Sequence, residues 1–79
     1  MRLNKNSMIA LADEQANNYN ANSRESGQAF YDDDNEVLVI INNGKEFNFK
    51  VGQDMDVRDA KEVGIYDAFI TVSHAMEED

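Results

Sequence analysis

The sequence predicts an α+β domain: an N-terminal helix packed on a small antiparallel sheet built around a β-hairpin over 37–51, then a short acidic helix and a final strand. Three observations predict it. Apolar residues near the start recur at helical spacing, β-branched and aromatic runs flank an Asn-Gly pair in the middle, and a capping aspartate and a glycine bracket a short polar segment beyond them.

The first element rests on Met8, Leu11, Ala12, Gln15, Ala16 and Tyr19, which share one side of a helix, with Asp13, Glu14, Asn17 and Asn18 on the other. Asn6 or Ser7 is the expected cap, because a short polar side chain can accept from the free amides of the first turn. The Asn- and Ser-rich tract from Asn17 to Ser26 ends the helix, since these side chains compete for backbone hydrogen bonds, and Gly27 marks a break.

The hairpin is the best-specified element. Asn43-Gly44 supplies the two positive-φ positions of a type I′ turn between Val37-Leu38-Val39-Ile40-Ile41 and Glu46-Phe47-Asn48-Phe49-Lys50-Val51. A two-residue loop pairs Asn42 with Lys45, Ile41 with Glu46, Ile40 with Phe47, Val39 with Asn48 and Leu38 with Phe49. Leu38, Ile40, Phe47 and Phe49 then share a core face. Val37, Val39 and Ile41 lie on the other face beside Glu46, Asn48 and Lys50, and they call for cover from a helix, another strand or a second subunit.

Gln28 to Tyr31 reads as a short strand joined to the hairpin by Asp32-Asp33-Asp34-Asn35, which makes a three-stranded meander; the alternative carries the N-terminal helix through Tyr31. Downstream, Asp54 or Asp56 caps a helix through Val63, and Gly64 terminates it. From Ile65 to His74, Tyr66, Ala68, Ile70 and Val72 alternate with Asp67, Phe69, Thr71 and Ser73, the pattern of a last strand. The tail, 76–79, is expected to fray.

Composition narrows the function. With 79 residues there is room for one domain, 1–79, and 42% hydrophobic residues are too many for a disordered acidic tail. Without cysteine there is no disulfide framework, thiolate metal site or cysteine nucleophile, and the single histidine excludes an all-histidine cluster. A domain this small gains from self-association, so a homodimer is expected, burying Val37, Val39 or Phe69 if no helix does. No apolar run approaches the roughly 20 residues that span a bilayer, and Met8 to Ala12 is too short for a signal-peptide core, so no membrane contact is expected.

His74, at the end of the expected last strand, has no nucleophile beside it on its own face and reads as an ordinary surface residue. Asp32 to Glu36 fails as an EF-hand loop, because positions 6 and 12 would be Val37 and Asn43 in place of Gly and Glu. The four glycines form no phosphate-binding loop. No cofactor and no enzymatic activity are expected.

Charge is the property furthest from ordinary. Sixteen acids against seven bases give −9, and all of the excess lies in 32–79, whereas 1–31 is neutral. Such a surface repels nucleic acid and is drawn to basic protein surfaces. Carboxylates two residues apart on a strand, or three apart on a helix, are spaced roughly as the phosphates of one DNA strand. Asp32 and Asp34 have the first spacing; Asp56, Asp59 and Glu62 have the second. Asp33, Asp54 and Asp67 extend the candidate partner-binding set, and the terminal Glu77, Glu78 and Asp79 could lengthen it.

In size, charge and lack of cysteine the chain is similar to the small acidic proteins that bacteriophages direct against host nucleic-acid-binding proteins, DNA mimics among them. That likeness is one of composition and assigns no residue roles. It implies a non-enzymatic inhibitor whose acidic surface blocks a basic, nucleic-acid-binding surface of a partner protein, with no direct contact to nucleic acid. The expected location is the cytoplasm, a host's if the chain is phage-encoded. The alternative is a structural or assembly protein that contacts partners through its apolar sheet face.

Overall fold

The computed structural model describes residues 1–21 and 27–77. Its element order is α1 (Lys5–Ala21), β1 (Gly27–Asp32), β2 (Val37–Asn42), β3 (Lys45–Lys50), α2 (Val57–Val63) and α3 (Tyr66–Glu77), an α+β fold. The strands form one antiparallel meander in the order β1-β2-β3, so Gln28 to Tyr31 belong to a strand, not to an extended α1.

The hairpin has the expected register, from Asn42 opposite Lys45 to Val37 opposite Lys50, and Asn43 and Gly44 both have positive φ. On its inner face Leu38 and Ile40 are completely buried, between Tyr31 and Phe49 and between Ala29 and Phe47 respectively. That face is an apolar floor three strands wide. Met8, Leu11 and Ala12 of α1, Leu3, Met55, Ile65 and the inward residues of α2 and α3 complete the core on it.

One boundary differs from expectation for a local reason. The cap of α1 is Asn4, not Asn6 or Ser7: Asn4 Oδ1 accepts from the Ser7 amide at 2.9 Å, and Ser7 Oγ accepts from the Asn4 amide at 2.9 Å. This is a reciprocal capping box, with Ser7 buried at its third position. Of the Asn- and Ser-rich tract, residues 22–26 lie outside the described residues, as do 78 and 79 of the tail.

The larger correction concerns the last element, which is a helix and not a strand. Ala68 and Val72 fit either period, but Phe69 separates them. It is 5% exposed and packs in the core with Ile65 and Val72, at helical spacing, whereas Tyr66, which alternation would place with Ala68, is 40% exposed. Met76 and Glu77 accordingly continue α3.

The connections between elements are held by specific contacts. Residues 1–3 run antiparallel to 52–55: the Leu3 amide donates to the Gln53 carbonyl, the Gly52 amide to that of Leu3 and the Met55 amide to that of Met1, each at 2.8 Å. Gly64 ends α2 in the left-handed conformation, its amide donating to the Ala60 carbonyl, and Asn42 Nδ2 donates to the Val63 carbonyl at 3.1 Å. Lys61 Nζ lies 5.1 Å from the centre of the Tyr66 ring, joining α2 to α3.

The helical assignment of α3 predicts unequal costs for its two aromatic residues. Phe69→Ala is expected to lose about 3–5 kcal/mol, enough to unfold a domain of this size. Tyr66→Ala, which removes a half-exposed ring and an exposed cation–π contact, should cost about 1 kcal/mol or less. Urea unfolding followed by circular dichroism measures both.

Candidate functional site

The β1–β2 turn carries the densest run of acids. Asp32 closes it: Oδ1 accepts from the amides of Asp34 and Asn35 at 3.1 and 3.2 Å, and Oδ2 from the Asn35 side chain at 2.8 Å. These donors favour the ionised carboxylate. The Asn35 side chain does most to hold Asp32 below the usual aspartate range, followed by the Asn35 amide, against an opposing effect of desolvation. Asp33, Asp34 and Glu36 are exposed around it. The Tyr31 hydroxyl feels them: its pKa is raised first by desolvation and then by the negative charge of Glu36 and Asp33.

Some countercharge lies close by. Lys5 Nζ is 3.4 Å from Asp33, but both side chains are more than half exposed, so the pair is worth little and leaves the turn acidic. Asp54, on the segment that leaves β3 at the same end of the sheet, pairs with Arg2 through the backbone, and its carboxylate, 79% exposed, lies 3.1 Å from the terminal ammonium group.

Asp56 and Asp59 are occupied differently. Asp56 is the N-cap of α2, its Oδ1 accepting from the Asp59 amide at 2.9 Å, while Asp59 Oδ2 accepts from the Asp56 amide at 3.2 Å. The Asp59 amide is the main reason that Asp56 also sits below the usual range. The expected row of Asp56, Asp59 and Glu62 is therefore not a row: its first two members are turned toward each other across the helix start.

Glu62 is exposed beside Asn42, Asn43 and Lys45 at the hairpin tip, and Asp67 beside Asn18 and Ala21 at the end of α1. A six-residue strand places that tip about 20 Å from the β1–β2 turn. The fold thus gathers Asp32, Asp33 and Asp34, with Asp54 at the same end, and leaves Glu62 and Asp67 elsewhere. Among the described residues no three histidine, aspartate or glutamate side chains are grouped so as to hold a metal ion. None of the described helices is long and apolar enough to cross a membrane. His74 is exposed on the last turn of α3.

The outer face of the sheet is the second candidate. Val37, Val39 and Ile41 lie there as expected, on the side of β2 opposite Leu38 and Ile40, and none of the three belongs to the buried cluster that the helices share with those two. Val39, flanked by side chains in its own row, is buried, while Val37 and Ile41 are half-buried. Strand β1 adds Phe30, opposite Val39 and 45% exposed. Phe30 could have been found by extending the alternation of the hairpin backward through Ala29 and Tyr31. Phe69, expected as a dimer contact, belongs to the core instead.

The chain matches no protein-family model, no curated protein and no solved structure.

Asp32 and Asp56 set a pH dependence whose sign follows from the direction of their shifts. Both are lower in the folded chain than in the unfolded one, so the stabilisation is complete well above the unfolded aspartate value of about 4 and is lost as the pH falls through the folded values. The wild-type melting temperature should fall between about pH 5 and pH 2. Asp56→Ala should be less stable at pH 7 and show a shallower decline; parallel melting curves would show that the capping carboxylate does not contribute.

Proposed function

We propose that the protein is a non-enzymatic inhibitor or interaction protein that binds a basic, nucleic-acid-binding surface of a partner, as phage proteins directed against host factors do. Its acidic contact is the β1–β2 turn, narrower than the eight-residue set read from the sequence. The observation that carries this reading is the exposure of Asp33, Asp34 and Glu36 around a turn that Asp32 holds by three hydrogen bonds. Carboxylates fixed on a short turn engage cations with less loss of freedom than the same groups on a mobile tail. Asp54 adds negative charge at the same end. Residues with capping roles, Asp56 and Asp59, contribute to the field, while Glu62 and Asp67 face other directions.

A second reading, assembly through the apolar sheet face, is favoured by the uncovered Phe30. Salt separates the two. An acidic contact loses on-rate as ionic strength rises, whereas an apolar one does not.

The test is capture of basic proteins from cell extract on immobilised protein, elution with salt, and a DNA-binding assay on the eluted protein. The acidic reading expects a nucleic-acid binder whose DNA binding is blocked by the wild type. The Asp33→Asn, Asp34→Asn, Glu36→Gln triple variant should capture it at least about tenfold less well, with a weaker salt dependence. Equal capture by the variant would overturn the role of the turn.

A further inference from the structure

We infer that the outer face of the sheet is a docking surface for a second copy of this chain, forming a two-fold, face-to-face dimer. This surface adjoins the acidic contact proposed above at Asp32, which holds the turn and ends the first row of the face, but the exposed carboxylates of that contact, Asp33, Asp34 and Glu36, do not lie on the face.

The face is built from alternate residues of three strands, and the observed register places them in three rows. Val37 lies at the centre of the first row, with Asp32 at its β1 end and Lys50 at its β3 end. Val39 is the centre of the second, with Phe30 at its β1 end. Ile41 is the centre of the third, with Gln28 at its β1 end and Glu46 at its β3 end. The apolar stripe therefore runs down the middle strand and out to one edge at Phe30, while β3 carries a cation at one end and an anion at the other.

This arrangement is complementary to itself. Around a two-fold axis that crosses the strands at the middle row, the first row of one copy faces the third row of the other. Val37 then meets Ile41 of the partner subunit, Val39 and Phe30 each meet their own counterpart, and Asp32 meets an amide, Gln28 of the partner subunit. Lys50 meets Glu46 of the partner subunit, and each dimer makes that ion pair twice. Lys50 makes no ion pair within its own chain among the described residues, and Glu46 only accepts from Asn48 Nδ2 at 3.2 Å. Both can engage across sheets stacked about 10 Å apart, a gap that a lysine side chain helps to bridge. An axis along the strands would set Phe30 against Asn48, which leaves the largest exposed apolar group on this face against an amide, so the crossing axis is the better match.

Charge and size set the strength. At physiological salt the Debye length is about 8 Å, so the general repulsion between two chains of −9 is screened while contact pairs are retained. Three strands of six residues span roughly 20 by 14 Å, less than the roughly 800 Å² per partner of stable complexes. The dimer is accordingly weak and concentration-dependent, with dissociation in the micromolar to millimolar range, roughly 4–8 kcal/mol of association.

The test is sedimentation equilibrium of the full chain at physiological salt, from about 10 μM to about 1 mM. The wild-type mass should rise from 9.0 kDa toward twice that value. Phe30→Asp, at an exposed position, should stay monomeric with an unchanged circular dichroism spectrum. Lys50→Glu alone and Glu46→Lys alone should each weaken the dimer about tenfold by placing like charges in contact. Mixed together, these two variants should recover a dimer as strong as wild type. In the mixed dimer the acid introduced at position 50 of one chain faces the base introduced at position 46 of the other, and the second contact keeps its native pair. Such recovery separates a surface contact from a folding defect. A wild type that remains monomeric to about 1 mM, a dimer indifferent to Phe30→Asp, or a mixture that fails to recover would each overturn the proposal. Phe30→Asp leaves the acidic turn intact, so loss of the dimer with salt-sensitive capture unchanged tells the two surfaces apart.

Discussion

The structure depends on a single asymmetry in the central strand. Successive side chains of β2 point to opposite sides, and only one side has apolar neighbours on both flanking strands. Leu38 lies between Tyr31 and Phe49, and Ile40 between Ala29 and Phe47; both are fully buried. On the other side Val37, Val39 and Ile41 have Lys50, Asn48 and Glu46 as their respective neighbours on β3. A helix gains most by lying on the side that offers a continuous apolar floor. The helices pack with that side, and Leu3, Met55 and Ile65 close the core around the same two β2 residues.

Placement of the helices then decides what the charge can do. Because α2 starts close to the N-terminal segment and ends at the hairpin, where Asn42 holds the Val63 carbonyl, its acids are divided between the helix start and the hairpin tip. Asp56 and Asp59 satisfy amides at the helix start, and Glu62 is carried to the hairpin tip. A net charge of −9 therefore does not form one continuous acidic wall. The β1–β2 turn is the place where consecutive acids remain together, because a tight connection leaves their side chains no element to pack against.

Elements governed by near neighbours were legible in the sequence. Asn43-Gly44 dictates the hairpin turn, and once its length is set the register follows, so every expected cross-strand pair is observed. A cap at Asp54 or Asp56 and the stop at Gly64 were legible for the same reason, and the structure selects Asp56. The cap of α1 was not, because Asn4, Asn6 and Ser7 are all competent; the pairing of Leu3 with Gln53, fifty residues away, selects Asn4. Nor was α3, whose ten-residue run satisfies two periods in part until the burial of Phe69 distinguishes them. For the candidate surfaces, Val37, Val39 and Ile41 were identifiable by alternation alone, but the grouping of the carboxylates follows from where distant elements meet, and no spacing rule encodes that.

The strand order has a consequence for how the chain avoids indiscriminate association. β3 ends the sheet, so one of its edges offers backbone donors and acceptors to any passing strand, the usual route to fibrous aggregates. Its sequence, Lys45-Glu46-Phe47-Asn48-Phe49-Lys50, begins and ends with a cation, and both of its aromatic rings turn inward onto the core face. An incoming strand would have to desolvate those ammonium groups while gaining no exposed apolar side chain from β3. The edge is thereby protected by its own charges, and the apolar side chains that the sheet leaves exposed lie on its broad outer side instead.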